Sequence, residues 1–496
     1  MKKLIVLIVL IAFLVLYACM IHAQLPIPEF KYGVGTLSGK ILGNIPKEQK
    51  TETLNIRINR IGFDNIGSEI PIEDDGTFSF NIPIFTVSLC VIESPIYSGL
   101  IYLLPNENTK LNISFDNNGE KHVSIENSLS PPFNYMDMGG KLLEICMSKD
   151  FGVNVNDYNI TPNEYAQISK KALSNILEKL EERNDLSENL KLIMGCELKA
   201  LFSNFYILNY SQTIKNKYKL HEGESNYTPT EPDISYYSIL KDLKLNNPYY
   251  LYSPSYQILI QNLLNINNIG IPPIDMYSLD VWKDKTDSIV KYIIDDDHSF
   301  FDKMLILNAY TKQLNELKPL SESQKKDIKS YYTEEAFSEM LFTENSKVIK
   351  LIQSDSSSKD FKINETPKVS KELLISTILQ KYEGKVVFID FWATWCGPCL
   401  KNMKQIEPVK KELTGKDVVF VYITNHTSVR KTWEEKVSQI GGEHYYLEEK
   451  TWDYLKNDLQ LIGVPTYLIY DKSGALKHKS NSMEPNKMRK WINELL

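Results

Sequence analysis

The chain has 496 residues, more than one hydrophobic core usually organises, so a single compact domain is disfavoured against about two to four. Hydrophobic residues at 43% and charged residues at 24% are ordinary globular values and exclude a disordered or fibrous whole. The 56 basic and 63 acidic residues leave a net charge of −7, and they form no long basic block, which argues against a nucleic-acid partner.

In chain order, Lys2 and Lys3 precede an unbroken apolar run from Leu4 to Tyr17, the pattern of an export signal over residues 1–23. Two cleavage patterns compete. Ile21-His22-Ala23 before Gln24 offers a small residue at the cut, whereas Leu16-Tyr17-Ala18-Cys19 resembles a bacterial lipobox and would make Cys19 a lipid anchor. An uncleaved membrane anchor is the third alternative. Each places the mature chain outside the cytoplasm, in the periplasm or cell envelope.

Residues 30–128 alternate apolar and polar positions, as at Leu54, Ile56 and Ile58, at Phe78, Phe80 and Ile82, and at Leu111, Ile113 and Phe115. Such period-two runs bury one face of a strand. With turn signals at Asp74-Asp75-Gly76 and Pro105-Asn106, they predict an antiparallel β-sandwich-like domain. Across 132–353 the period changes to that of a helix, for example Ile168, Ala172, Ile176 and Leu180, so an all-α middle domain is expected. Thr161-Pro162-Asn163-Glu164 carries an N-cap, a first-turn proline and a capping-box glutamate. The tyrosines between 206 and 277 read as core, with a binding groove as the alternative. Residues 354–368, polar and rich in serine, read as a linker. From 369 to 496 strands and helices alternate, the pattern of an α/β domain with a central sheet.

The six cysteines are too few for a disulfide scaffold. Cys90, Cys146 and Cys196 read as small buried hydrophobes, with a Cys146–Cys196 bridge as the alternative. Cys396 and Cys399 differ, because a continuous apolar strand, Val386–Ile389, runs into Asp390-Phe391-Trp392-Ala393-Thr394-Trp395-Cys396-Gly397-Pro398-Cys399. Two intervening residues set the sulfurs one helical turn apart, where a disulfide can open and close. At the helix start Cys396 would expose its sulfur to unbonded N–H groups and to the positive end of the helix dipole, which favour the thiolate. Cys399, deeper, would resolve the mixed disulfide. A zinc half-site would need two further ligands, and no second Cys pair or Cys/His pair exists, so no metal and no separate cofactor is expected.

On these residues the stretch from about 366 to 496 resembles the thioredoxin superfamily, and within it the exported TlpA and ResA type. Gly463-Val464-Pro465-Thr466 follows the cysteine pair as it does in that family. The resemblance implies that Pro465 is cis, that Val464 and Pro465 with Gly397, Pro398 and Trp395 contact substrate, and that Asp390 accepts the proton of Cys399. Two positions depart from the family pattern: Asn402 stands where the exported type often has Glu, and Lys404 where the family commonly has a helix-kinking proline. The run from Thr36 to Gly43, Asp75–Phe80 and Leu103–Asn106 is similar to a β-domain found upstream of envelope thioredoxin modules.

The expected function is that of a protein-disulfide reductase acting on protein thiols and disulfides. A membrane electron donor would re-reduce it, and apocytochromes c are among the substrates that relatives suggest. The alternative is a substrate-binding or chaperone-like envelope adaptor with an accessory redox module, because the chain ahead of the motif is more than twice as long as the redox part.

Overall fold

The computed structural model describes residues 25–62, 66–129, 135–155, 158–222, 227–294, 298–353, 360–428 and 430–496. The expected export signal, with Cys19, lies outside them. The chain divides into two compact units, Met1–Thr311 with Glu322–Leu341, and Lys312–Ser321 with Phe342–Leu496.

The first unit opens with eight strands: β1 (Gly33–Gly43), β2 (Thr53–Ile58), β3 (Ile66–Pro71), β4 (Thr77–Ile84), β5 (Ser88–Glu93), β6 (Ser98–Leu103), β7 (Asn108–Phe115) and β8 (Lys121–Glu126). They form two four-stranded sheets, ordered β4-β1-β7-β8 and β3-β2-β5-β6. The alternation seen in the sequence becomes one shared core: Leu37, Ile41, Leu54, Ile56, Ile58, Phe78, Leu111 and Ile113 are buried together. β1 pairs parallel with β7, the one parallel ladder in these sheets among the described residues. The Asp74-Asp75-Gly76 turn requires glycine, because Gly76 has φ +83° and a Cβ there would stand 2.2 Å from the Ile41 carbonyl oxygen.

Helices follow: α1 (Tyr135–Cys146), α2 (Pro162–Glu181), α3 (Glu188–Phe202), α4 (Tyr210–Glu222), α5 (Pro254–Leu263), α6 (Leu279–Ile293), α7 (Ser299–Asn315), α8 (Glu322–Tyr331) and α9 (Glu335–Gln353). α2 starts at a complete capping box: Glu164 N–H donates to Thr161 Oγ1, and Thr161 N–H donates back to Glu164 Oε2 at 2.9 Å. Thr161→Ala should therefore cost about 1 kcal/mol and Thr161→Ser only a few tenths. Urea titration reads the difference, and equal midpoints for both variants would show the cap to be idle.

The tyrosine-rich stretch is core rather than groove at Tyr236, Tyr250 and Tyr256. Their rings are buried and their hydroxyls donate to the carbonyls of Ile207, Leu243 and Leu245 at 2.8, 2.5 and 2.8 Å. Such main-chain partners make a buried phenol tolerable. Beside them Glu197 is buried and accepts from the Ser253 and Ser255 hydroxyls, each at 2.5 Å. The Cys146–Cys196 bridge does not form: both are free, Cys196 buried and Cys146 half-buried, and Cys90 is a buried thiol that burial pushes up to about 12. Cys90 and Cys196 are packed as small apolar groups, which need no covalent partner, whereas Cys146 departs from the buried reading.

The second unit holds a six-stranded sheet in the order β14-β13-β10-β11-β12-β9. Its strands are β9 (Phe361–Ile363), β10 (Val386–Phe391), β11 (Val418–Asn425), β12 (Gly442–Leu447), β13 (Thr466–Tyr470) and β14 (Leu476–Ser480). Its helices are α10 (Leu374–Gln380), α11 (Gly397–Glu412), α12 (Arg430–Ile440), α13 (Glu449–Asp458) and α14 (Pro485–Asn493). β10, β11, β12 and β9 run parallel, and β13 and β14 complete the other edge antiparallel. β9 lies within the stretch read as linker; three exposed edge residues are too few to show a period. α10 is a further element that the sequence reading did not name.

Candidate active site

All six residues of β10 are buried, as a strand covered on both faces requires. The chain then turns through Trp392–Trp395, and polar bonds hold the turn. The Trp392 carbonyl accepts from Thr424 Oγ1 at 3.0 Å, Thr394 N–H donates to Ser428 Oγ at 3.0 Å, and those two hydroxyls lie 2.7 Å apart. Thr424 and Ser428 thereby fix the entry to α11.

Cys396 is the N-cap of α11, in extended conformation, and its Sγ accepts the Cys399 N–H at 3.2 Å. An N-cap acceptor receives an orphan donor at the positive end of the helix, and here that acceptor is the sulfur. Cys396 and Cys399 are joined by a disulfide with their Cα atoms 5.3 Å apart. One expectation is corrected. Cys396 is not an open residue: it is 3% exposed as a whole, close to the 0% of Cys399. The residue between them explains part of this, since Gly397 is buried with the main chain of Asn315 against it.

The residues flanking the pair are open. Trp395 is 61% exposed and donates from Nε1 to Thr427 Oγ1 at 2.9 Å. Pro398 is exposed, Val464 and Pro465 are half-buried, and the Val464–Pro465 peptide is cis. Val464 packs on the cluster that contains both cysteines, Trp392 and Trp433.

Asp390 is fully buried, and neither carboxylate oxygen has a hydrogen-bond partner. Burial pushes its pKa well above the ordinary value, and the Lys410 ammonium opposes this only in part. In the sheet it lies opposite Tyr422 of β11 and Tyr467 of β13. Lys410 stands 4.9 Å from the Tyr422 ring centre and donates to the Ile440 carbonyl at 2.9 Å. Sequence reasoning missed Lys410 and Tyr422, whose role depends on which faces the sheet and α11 turn toward Asp390. Asn402 accepts from the Tyr467 hydroxyl at 2.9 Å and donates to the Met483 carbonyl, so it ties α11 to β13 and to the segment after β14. A proline does occur in α11, but at Pro408, four residues beyond Lys404.

A disulfide-forming Cys-x-x-Cys pair at the head of a helix, fed by the central strand of such a sheet, defines a thioredoxin-type thiol–disulfide domain. Residues 384–476 match the thioredoxin-like family model. The chain is 33% identical over 102 residues to the thioredoxin-like protein YneN of Bacillus subtilis (strain 168), spanning 20% of this chain and 58% of that protein. It is 29% identical over 102 residues to the thiol-disulfide oxidoreductase ResA of Geobacillus kaustophilus (strain HTA426), spanning 20% and 56%. Against a thioredoxin of Coprinus comatus it is 31% identical over 72 residues, 14% of this chain and 68% of that protein. The chain thus spans less than two thirds of the first two relatives. Through this carboxy-terminal domain it belongs to the thioredoxin-like family, and the match leaves the residues before 384 unassigned.

Proposed function

We propose that this protein is an exported thiol–disulfide oxidoreductase that reduces disulfides in protein substrates through Cys396 and Cys399. The observation that carries the reading is a bonded cysteine pair whose first sulfur caps a helix while a buried, partnerless carboxyl lies at the end of the strand feeding it. In the reduced state the Cys396 thiolate attacks a substrate disulfide. A Cys396–substrate bond forms, the substrate's own bond breaks, and its other sulfur leaves as a thiolate that takes a proton from water. Cys399 then gives its proton to the Asp390 carboxylate and attacks Cys396 Sγ. The Cys396–substrate bond breaks, the second substrate sulfur leaves as a thiolate that takes a proton from water, the Cys396–Cys399 disulfide is restored, and Asp390 returns its proton to water. Two electrons pass to the substrate, and a dithiol on a membrane donor returns them. Trp395 and Pro398 border the approach, and the main chain at Val464 suits pairing with an extended substrate segment.

The direction of electron flow is read from the reduction potential. Equilibration of the pair in graded thiol buffers, followed by alkylation and mass measurement, should place it near about −270 mV, as for reducing thioredoxins; a value above about −150 mV would make it an oxidant. Export is read separately, from the amino terminus and lipidation state of the protein recovered from cell envelopes.

A further inference from the structure

The turn that closes α7 belongs to the same compact unit as the redox pair. Its main chain lies directly on the motif: a Cβ on Gly397 would stand 2.8 Å from the Asn315 carbonyl oxygen and 3.0 Å from its carbon. Neither backbone atom can swing aside as a side-chain tip would, so the fit depends on glycine.

A hydrogen bond and an ion pair from α9 flank this arrangement. Asn345 Oδ1 accepts the Leu320 N–H at 2.8 Å, which fixes the far end of the turn. One residue earlier, buried Glu344 lies 3.9 Å from the ammonium of Lys401 on α11 and 2.6 Å from that of Lys347. Within the turn, Leu317 has φ +58°, a left-handed conformation that a branched side chain adopts only under constraint. The Lys318 N–H to Gln313 carbonyl bond, at 3.1 Å, closes the helix end around it. Immediately flanking the pair in the chain, Trp395 and Pro398 present exposed apolar surface.

We propose that the turn Asn315–Leu320 is a size filter on the redox site. It admits small disulfides, and disulfides on extended apolar segments, to Cys396, and it turns away those presented by folded proteins. The proposal rests on Cys396 as the attacking sulfur. Exchange requires the incoming sulfur to reach Cys396 Sγ; with Cys396 3% exposed as a residue and the Asn315 main chain against the adjoining Gly397, a bulky surface reaches it only after the turn lifts. A slender segment needs a smaller displacement and gains contact with Trp395 and Pro398.

The test uses the full chain, chemically reduced, with two maleimides, one small and one carrying a large polyethylene glycol. If the turn is lifted in about 0.1–10% of molecules, Cys396 should react with the large reagent roughly 10- to 1,000-fold more slowly, after normalisation to an unfolded peptide thiol. Gly397→Ala, which pushes the Asn315 main chain away, and Asn345→Ala, which frees Leu320, should each close most of that gap. Asn345→Ala keeps the test available should Gly397→Ala fail to fold. Equal normalised rates in the parent chain, or a gap that both variants leave unchanged, would overturn the filter. Turnover is measured alongside with a short peptide disulfide and a folded disulfide protein. Size-selective alkylation supports the filter whether or not turnover occurs, and loss of turnover on both substrates counts against the proposed function alone.

Discussion

A reduced Cys399→Ser chain is expected to stop halfway, bonded through Cys396 to its substrate, while Cys396→Ser forms no adduct. Either change should lower dithiol turnover by more than about 10³-fold, because each removes a sulfur that breaks or forms a bond. The asymmetry follows from the position of each sulfur. Cys396 Sγ caps α11 and accepts the Cys399 N–H, so negative charge there is met by the positive end of the helix. Cys399 lies one turn inside with no exposed surface, and the sulfur it can reach is that of Cys396. Non-reducing gels and mass spectrometry of the two variants after exposure to peptide disulfides read the result. Adducts on Cys399 in the Cys396→Ser chain would reverse the assignment.

What could be read in the sequence was local. The Cys-x-x-Cys pair, the apolar strand before it, the capping box at Thr161 and the alternation of the β-rich region each depend on residues within one element or turn. The buried Asp390 was also legible, since its neighbours Ile389 and Phe391 are apolar. The burial of Cys396 was not. Reading a helix-start cysteine as open uses only the helix to which it belongs, whereas Asn315, some eighty positions upstream, packs its main chain against the adjoining Gly397. No spacing in the sequence encodes that approach; the glycine inside the motif is its one trace, and glycine there is equally what the resemblance led one to expect. β9 was hidden because it is short and exposed. Lys410 was hidden because a lysine on a helix reads as a solvated charge until the helix is set against Tyr422.

Asp390→Asn should separate the carboxyl's chemical role from its structural cost, because the two move in opposite directions. Burial raises the pKa of this group, so above its ordinary value near 3.8 the folded protein keeps a proton that the unfolded chain gives up. The favourable contribution is therefore complete at low pH and is lost as pH rises toward the raised value. Asparagine cannot ionise. The variant should gain on the parent by about 1.4 kcal/mol for each pH unit within that window and by nothing more once the raised value is passed. The buried amide's own unmet donors add an offset, but one that does not change with pH. Thermal unfolding of the disulfide form between pH 5 and pH 8 reads the slope, on the order of 2–4 °C per kcal/mol for a domain of 150–250 residues. At pH values that reach the raised value, where the carboxyl is ionised, the variant should release trapped substrate more slowly, by about 10²-fold or more, since Cys399 loses the base that takes its proton. Parallel stability profiles for the two chains would mean that Asp390 ionises normally. A more stable variant with unchanged release would leave Asp390 as a buried acid with no part in the proton transfer.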